Sequence, residues 1–297
     1  MPADLHCHTR LSDGSLGIED LILLAQRSGV NTIAITDHDC QAGTVRGKII
    51  GKRQGVNVIP GVELSAYDKE HDRQVHLLCY LADNPNRLEG LCRSNSLARR
   101  KASQLMIARV SKRFPISSDL VIKCAAGSTN IYKQHIMHAL MECGYTTEIY
   151  GDLYKSLFSK DSPDSIFVQP KFPDPGTVLE AIHNANGVAV LAHPVYSKNV
   201  ELIDDLIEKG LDGIEVWHPS HSEKESEMLL ELAKEKDLLV TGGSNFQGMY
   251  GSSVRQLGSY TTSDEDVNRL INYQAKKRRA RKKAEGAKKA EALKNIK

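Results

Sequence analysis

What the 297-residue sequence lacks narrows its class before anything it contains. It has no run of apolar residues long enough to cross a bilayer, so a transmembrane helix and a membrane partner are not expected. Met1 to Arg10 does not read as a signal peptide, and ligand-type residues begin at Asp4, so no cleaved presequence is expected. The six cysteines (7, 40, 79, 92, 124 and 143) stand singly, with no Cys-x-x-Cys pair. That argues against a zinc finger or a disulfide framework and for reduced thiols in the cytoplasm. No Gly-x-Gly-x-x-Gly loop is present, which removes the dinucleotide-binding fold. An excess of charge of either sign is also lacking overall, at a net +2, but that value conceals a split. Residues 276–297 carry eleven Lys and Arg against two Glu, a net +9, so residues 1–275 sum to −7. An acidic body with a basic tail is the result, and that tail suits either a solvated helix or contact with nucleic-acid phosphates.

What is present begins at Asp4-Leu-His-Cys-His-Thr-Arg-Leu-Ser-Asp13. On an extended strand His6 and His8 project from one face and Cys7 from the other. Two imidazoles followed by the carboxylate of Asp13 in a Ser-Asp-Gly turn begin a divalent-metal site; alone, they also fit a strand with two surface histidines. More ligand types recur downstream. The apolar run Asn31–Thr36 leads into Asp37-His38-Asp39, and Val56–Pro60 into Gly61-Val62-Glu63. Gln74–Leu81 contains His76, Gly187–Ala192 delivers His193, and Leu238–Thr241 runs into Gly242-Gly-Ser-Asn-Phe-Gln-Gly248. Amphipathic helices are predicted between these runs, over residues 18–28, 43–54, 178–186, 200–209 and 223–236. A further strand is predicted over Gln256–Tyr260.

Strands alternating with helices imply parallel strands and right-handed crossovers. Ligand-type residues at the strands' C-terminal ends imply a closed β/α barrel, expected here in distorted form over 1–84 and 176–270. Between them, 85–175 reads as a helical insertion with helices near 87–113, 133–143 and 148–158. It closes on the breaker cluster Gln169–Gly176, and 271–297 forms the basic tail. Seven groups, His6, His8, Asp13, His38, Glu63, His76 and His193, are too many for one ion. Imidazole with carboxylate selects zinc, manganese or iron, two or three ions in all, with Glu63 after a Pro-Gly turn as the bridge. Such a centre generates hydroxide near neutral pH and clamps a phosphoryl oxygen, and it serves amide hydrolysis equally well.

The ordered series Asp-Leu-His-x-His-Thr…Ser-Asp-Gly, Ile-Thr-Asp-His-Asp, Pro-Gly-Val-Glu, His-Leu-x-x-Tyr, Val-Leu-Ala-His-Pro and Gly-Ile-Glu-Val resembles the PHP (polymerase and histidinol phosphatase) family. It covers about residues 2–260, and its branch acting on nucleotide 3′,5′-bisphosphates and on the 5′ ends of short RNAs is the nearest in pattern. The resemblance implies a distorted seven-stranded, TIM-like β/α barrel and phosphomonoester hydrolysis by metal-bridged hydroxide, with phosphate as product. It implies one metal on His6, His8 and Glu63, a second on Glu63, His76 and His193, and a third on Asp13 and His38. Glu63, His193 and His135 take the catalytic roles, and Arg99, Arg100 and His135 the substrate phosphate; a solubilising Arg-Arg-Lys surface is the competing reading. His218 and His221 line the cleft from behind.

One motif departs from the family. Its Gly-Gly-Ser-Asp-Phe-His-Gly is here Gly-Gly-Ser-Asn245-Phe-Gln247-Gly, so two ligands have become amides. Asn245 still offers a carbonyl oxygen, and Gln247 weakens most the site shared with Asp13 and His38. Two functions follow: a phosphoesterase of nucleotides or short RNA that tolerates the change, or a protein that binds them with little turnover.

Overall fold

A computed structural model describes residues 3–252 and 255–294. The N-terminal half of the barrel alternates β1 (Ala3–Cys7), α1 (Ile18–Arg27), β2 (Thr32–Ile35), α2 (Gly43–Gln54) and β3 (Asn57–Asp68). A hairpin then leads into β4 (Arg73–Tyr80). Four helices follow without a strand: α3 (Glu89–Arg113), α4 (Ser118–Cys124), α5 (Lys133–Glu142) and α6 (Asp152–Phe158). The second half comprises α7 (Pro175–Asn184), β5 (Val188–Leu191), α8 (Ile203–Glu208), β6 (Gly213–Trp217), α9 (Glu223–Glu235) and β7 (Leu239–Gly242). The chain ends on α10 (Asp264–Lys294).

The seven strands lie in sequence order in one sheet. It curls until β1 meets the β7 end through isolated bridges, Cys7 with Phe246 and Ala3 with Thr262. The buried carboxylate of Asp4 ties this seam, accepting from Ser244 N at 2.9 Å and Gly258 N at 2.8 Å. The result is a nearly closed, distorted β/α barrel. Four of the six strand pairings are parallel, as the alternation predicts, but β4 is antiparallel to both neighbours. The cause is β3, which does not stop at Pro60 but runs twelve residues to Asp68 and turns back. Glu63 therefore sits within a strand and not after a Pro-Gly turn. Gln256–Tyr260 is not a strand; only Thr262, just beyond it, forms a bridge.

Strand alternation divides the core in two. Val62, Leu64 and Ala66 of β3 pack outward with Leu77, Leu191 and helices α7 and α9. Ile59, Leu78, Tyr80, Val190 and Leu239 fill the barrel interior. Glu63, four residues beyond Ile59, shares that inward face above the apolar plug. Helix α2 lies unusually close to the sheet because it presents glycines: a Cβ on Gly51 would stand 2.5 Å from the Val56 carbonyl oxygen, and one on Gly47 2.8 Å from Ile35.

Helices α3–α6 have an apolar cluster of their own, including Met106, Val110, Val121, Ile136, Met137, Leu140 and Leu157. A buried polar clamp joins them to the barrel. Asp39 accepts from Ser65 N at 3.0 Å, Asn95 Nδ2 at 2.7 Å and Arg99 Nη2 at 2.9 Å. The basic tail is mostly one continuous helix; its last three residues lie outside the described ones. Gln274 donates to the carbonyls of Leu81 and Asn186, and Lys277 to that of Gly187. Those groups belong to the pole of the barrel opposite the histidines. No helix among the described residues is long and apolar enough to cross a membrane.

Candidate metal centre

Each ligand-type side chain arrives at one pole for a local reason. His6 is the penultimate residue of β1, and His8 follows the strand where the chain leaves the sheet. Asp37 then accepts from Thr9 N at 2.8 Å, Thr9 Oγ1 at 2.7 Å and Ser12 Oγ at 2.6 Å, which folds the 9–13 loop and fixes Asp13. His76 lies near the start of β4, and only the antiparallel direction of that strand puts its start at this pole. Ser65 pairs with His76 across the ladder, so Glu63, Ser65 and His76 share a face. His193 and Asn245 follow β5 and β7 in left-handed backbone, with φ 31 and φ 47. Asn adopts that region more readily than most residues, whereas at His193 it is a strain the surroundings must hold.

Glu63 is the centre of the arrangement. Its Oε2 lies 3.3 Å from His6 Nε2, 3.2 Å from His8 Nε2 and 3.2 Å from His38 Nδ1. Its Oε1 lies 2.9 Å from His76 Nδ1 and 3.2 Å from His193 Nε2. Buried polar atoms normally find hydrogen-bond partners. Yet His6 Nε2, His8 Nε2, His38 Nδ1 and Glu63 Oε2 are all buried without one, close together but misaligned for hydrogen bonds, and Asn245 Oδ1 is likewise buried without a partner. Ligands about 2.0–2.1 Å from a tetrahedral ion stand about 3.3 Å apart, which matches the spacing around Oε2. The donor set thus fits divalent ions shared through one carboxylate. Three groups built from the predicted residues have converging ligand atoms: His6, His8 and Glu63; His8, Asp13 and His38; and His38, Glu63 and His76.

The electrostatics follow from burial opposed by pairing. Burial alone would raise the Glu63 pKa, but His38, His76 and His6 hold it well below the usual carboxylate range. For His6 burial works against the charged form, and Glu215 with Glu63 outweighs it, raising its pKa. Burial lowers the pKa of His38 and His193.

Glu215 is the residue that sequence reasoning missed. It is fully buried on β6, its Oε1 is 2.8 Å from His6 Nδ1, and its Oε2 accepts from His193 N at 2.8 Å. A carboxylate behind a metal-binding imidazole fixes its tautomer and raises its basicity. Burial opposes its ionisation, but His6 and His218 bring its pKa down to about 2. The signal was available: a Glu inside the apolar run Gly-Ile-Glu-Val-Trp, on the strand's inward face. His218 is buried with its Nε2 3.1 Å from Asn245 Nδ2, a contact that leaves Asn245 Oδ1 without a hydrogen-bond partner. His221 is buried too, with Nδ1 on the carbonyl of Val216 at 2.9 Å.

Three predicted substrate contacts sit elsewhere. Arg99 is engaged by Asp39 and by Ser65 Oγ at 2.7 Å, between the rings of Tyr132 and Phe172. Arg100 is exposed and borders a separate groove between α3 and α4. His135 is buried, with its Nδ1 accepting from Tyr132 N at 3.1 Å as part of the α5 cap, and burial pushes its pKa down to about 4. Arg99 is taken up by its clamp to Asp39 and Ser65, Arg100 faces solvent and His135 is taken up by the α5 cap, and none of the three lines the cleft over Glu63. A cleft of about 430 Å³ does open over Glu63, His76 and His193. Its cationic lining is Arg73, Lys133, Lys160 and Arg255, with Tyr150, Tyr154 and Phe167 among its aromatic walls. Lys133 lies 4.2 Å from the Phe167 ring centroid, and burial followed by Arg99 lowers its pKa to about 8.

Comparison with known proteins accords with this site. The PHP domain profile matches residues 4–160. A phosphoribosyl 1,2-cyclic phosphate 1,2-diphosphodiesterase of Eggerthella lenta is 36% identical over 84% of this chain and 96% of its own. A 5′-3′ exoribonuclease of Haemophilus influenzae is 30% identical over 82% of this chain and 89% of its own. Among solved structures, a Bifidobacterium adolescentis protein assigned as a metal-dependent phosphoesterase superposes with TM-score 0.81 at 30% identity, covering 91% of this chain and 97% of that one.

Proposed function

The chain belongs to the PHP family of metal-dependent phosphoesterases, and from that premise we propose that it hydrolyses phosphoesters of nucleotides or short RNA. The observation that carries the reading is the set of buried, unpartnered ligand atoms around Glu63 at the floor of a cleft walled by Arg73, Lys133, Lys160 and Arg255 against one acidic wall residue, Asp72, which pairs with Lys160. His6, His8 and Glu63 would hold one divalent ion, and Glu63, His76 and His193 a second; Asp13 and His38 make a third position. The donor set suits manganese, zinc or iron. Bound there, such ions supply Lewis acidity toward a phosphoryl oxygen and a nucleophile from water at neutral pH.

The chain's own residues do the rest. Glu215 holds His6 and the His193 backbone in register, and Ser197 Oγ, 2.8 Å from His193 Nδ1, orients that ring. Asn245 presents a carbonyl oxygen where the family pattern has a carboxylate. Lys133, Arg73 and Lys160 line the approach and suit a substrate with more than one phosphate, while Tyr150 and Tyr154 offer faces to a base. Arg99, Arg100 and His135 take no part in substrate contact under this reading. Inorganic phosphate is the product of the monoesterase reaction. Any nucleic-acid contact by α10 would add affinity from the far pole and would not feed the cleft.

The test pairs elemental analysis of chelator-free protein with turnover assays. Phosphate release from adenosine 3′,5′-bisphosphate, or mononucleotides from 5′-phosphorylated RNA, with bound metal supports the reading. A second arm offers phosphoribosyl 1,2-cyclic phosphate, and preference for it would shift the substrate to a sugar phosphate. Binding without turnover on all three, in manganese, zinc or iron, would leave a binding protein.

A further inference from the structure

Asp13 is the residue on which a third ion would depend, and its carboxylate is already engaged. Gln247 Nε2 donates to Asp13 Oδ2 at 2.6 Å, and Gln134 Nε2 donates to the same oxygen at 3.2 Å. The other oxygen, Oδ1, accepts from Ser12 Oγ at 3.2 Å and lies 3.3 Å from His8 Nδ1. A carboxylate only accepts, so each glutamine must turn its NH2 toward Asp13 and its carbonyl away. The two amides reach this point from separate elements, Gln134 from the first turn of α5 and Gln247 from the loop after β7. His38 leans the same way: its Nδ1 is 3.2 Å from Glu63 Oε2, while its Nε2 is 3.7 Å from Asp13 Oδ2.

We propose that Gln247 and Gln134 take the place of a third cation, so that Asp13 is an anchored acceptor and this chain's centre holds two metal ions. The inference rests on the metal-dependent reading above. An ion entering beside Asp13 would have to break two hydrogen bonds to a buried carboxylate. It would meet the positive ends of two amide dipoles and, with His8 given to the first ion, it would gain only Asp13 and His38 as strong ligands. Hydrogen bonds to charged groups are the stronger kind, and well-held zinc sites have three or four protein ligands. At the shared Glu63 position the balance is reversed. There the atoms around Glu63 Oε2 converge without partners, and an ion at Oε1 would displace only the contacts of that oxygen with His76 Nδ1 and His193 Nε2, which are themselves its ligands.

This assignment also gives the paired changes in the last motif one physical sense. The Asp-to-Asn position retains a carbonyl oxygen, Asn245 Oδ1, which is buried without a hydrogen-bond partner and oriented by His218. The His-to-Gln position loses an imidazole and gains a hydrogen-bond donor. One change keeps a weaker ligand and the other removes a site.

The experiment is a metal count. The full chain is saturated with Mn2+, and separately with Zn2+, freed of excess ion by gel filtration and measured by elemental mass spectrometry, beside Gln247→His. Two ions per wild-type chain and three in Gln247→His are expected. Three in the wild type, or two in Gln247→His, would overturn the proposal while leaving a metal-dependent enzyme. One ion or none in the wild type would instead remove the metal-centre reading, and this inference with it. If Gln247→His does not fold, the wild-type count decides alone: two supports the assignment and three overturns it.

Discussion

Glu215→Gln isolates what a residue outside the metal's reach contributes. The carboxylate accepts two hydrogens, from His6 Nδ1 and from the His193 backbone N–H, both at 2.8 Å and both fully buried. The amide that replaces it has one acceptor and one donor. With Nε2 on an ion, His6 carries its proton on Nδ1, so whichever way the amide sits its NH2 must face either His6 Nδ1–H or His193 N–H, and one buried donor loses its partner. That costs about 1–3 kcal/mol. For a chain of this size each kcal/mol is worth about 2–4 °C, so the melting temperature should fall by roughly 2–12 °C with metal bound, and by less in chelator, where His6 can carry its proton on Nε2 and accept from the amide. His6 also loses the anion that raises its basicity, and its ion should bind roughly 10–100-fold more weakly. Thermal melts with and without chelator, joined to a metal titration by calorimetry, measure both parts. Unchanged melting with metal bound together with unchanged metal affinity would refute the positioning role. A loss of stability alone would reduce Glu215 to packing.

Glu63→Gln keeps the shape of the bridge and removes its charge; metal content should drop below one ion per chain at micromolar metal and turnover should vanish, and retained metal would show that another group is the bridge. Lys133, with its pKa near 8, is charged below that pH and neutral above it, so its attraction for substrate phosphate is present at neutral pH and lost as pH rises through about 8. kcat/KM should therefore fall about tenfold per pH unit beyond 8, and Lys133→Arg should remove that limb; a limb unchanged in Lys133→Arg assigns the titration elsewhere. His135→Ala should cost about 1 kcal/mol of stability by opening the α5 cap while leaving KM within twofold. A tenfold rise in KM would return His135 to the substrate site.

The order and spacing of the ligand motifs were legible in the sequence because each lies in or just after an apolar run that local periodicity already marks. His6 and His8, Asp37-His38, Glu63 and Ala-His193-Pro announce both the chemistry and the barrel rhythm, and the inserted helices were legible as a break in that rhythm. Strand direction was not legible. A strand and its reverse carry the same alternation, so nothing local says that β3 runs on through Pro60-Gly61 and that β4 returns antiparallel, which alone brings His76 to the metal pole. The partners of charged side chains were hidden for a similar reason. Arg99 and Asp39 are 60 residues apart, and His6 and Glu215 are 209 apart. Such pairings depend on long-range closure of the sheet and on docking of α3 and α5 against it. So sequence alone determined that this chain gathers imidazoles and carboxylates on a barrel. Only the tertiary structure decided which of them face Glu63, which brace the centre from behind, and that Asp13 is held by two glutamines, because a hydrogen bond is settled by position in space and not by residue type.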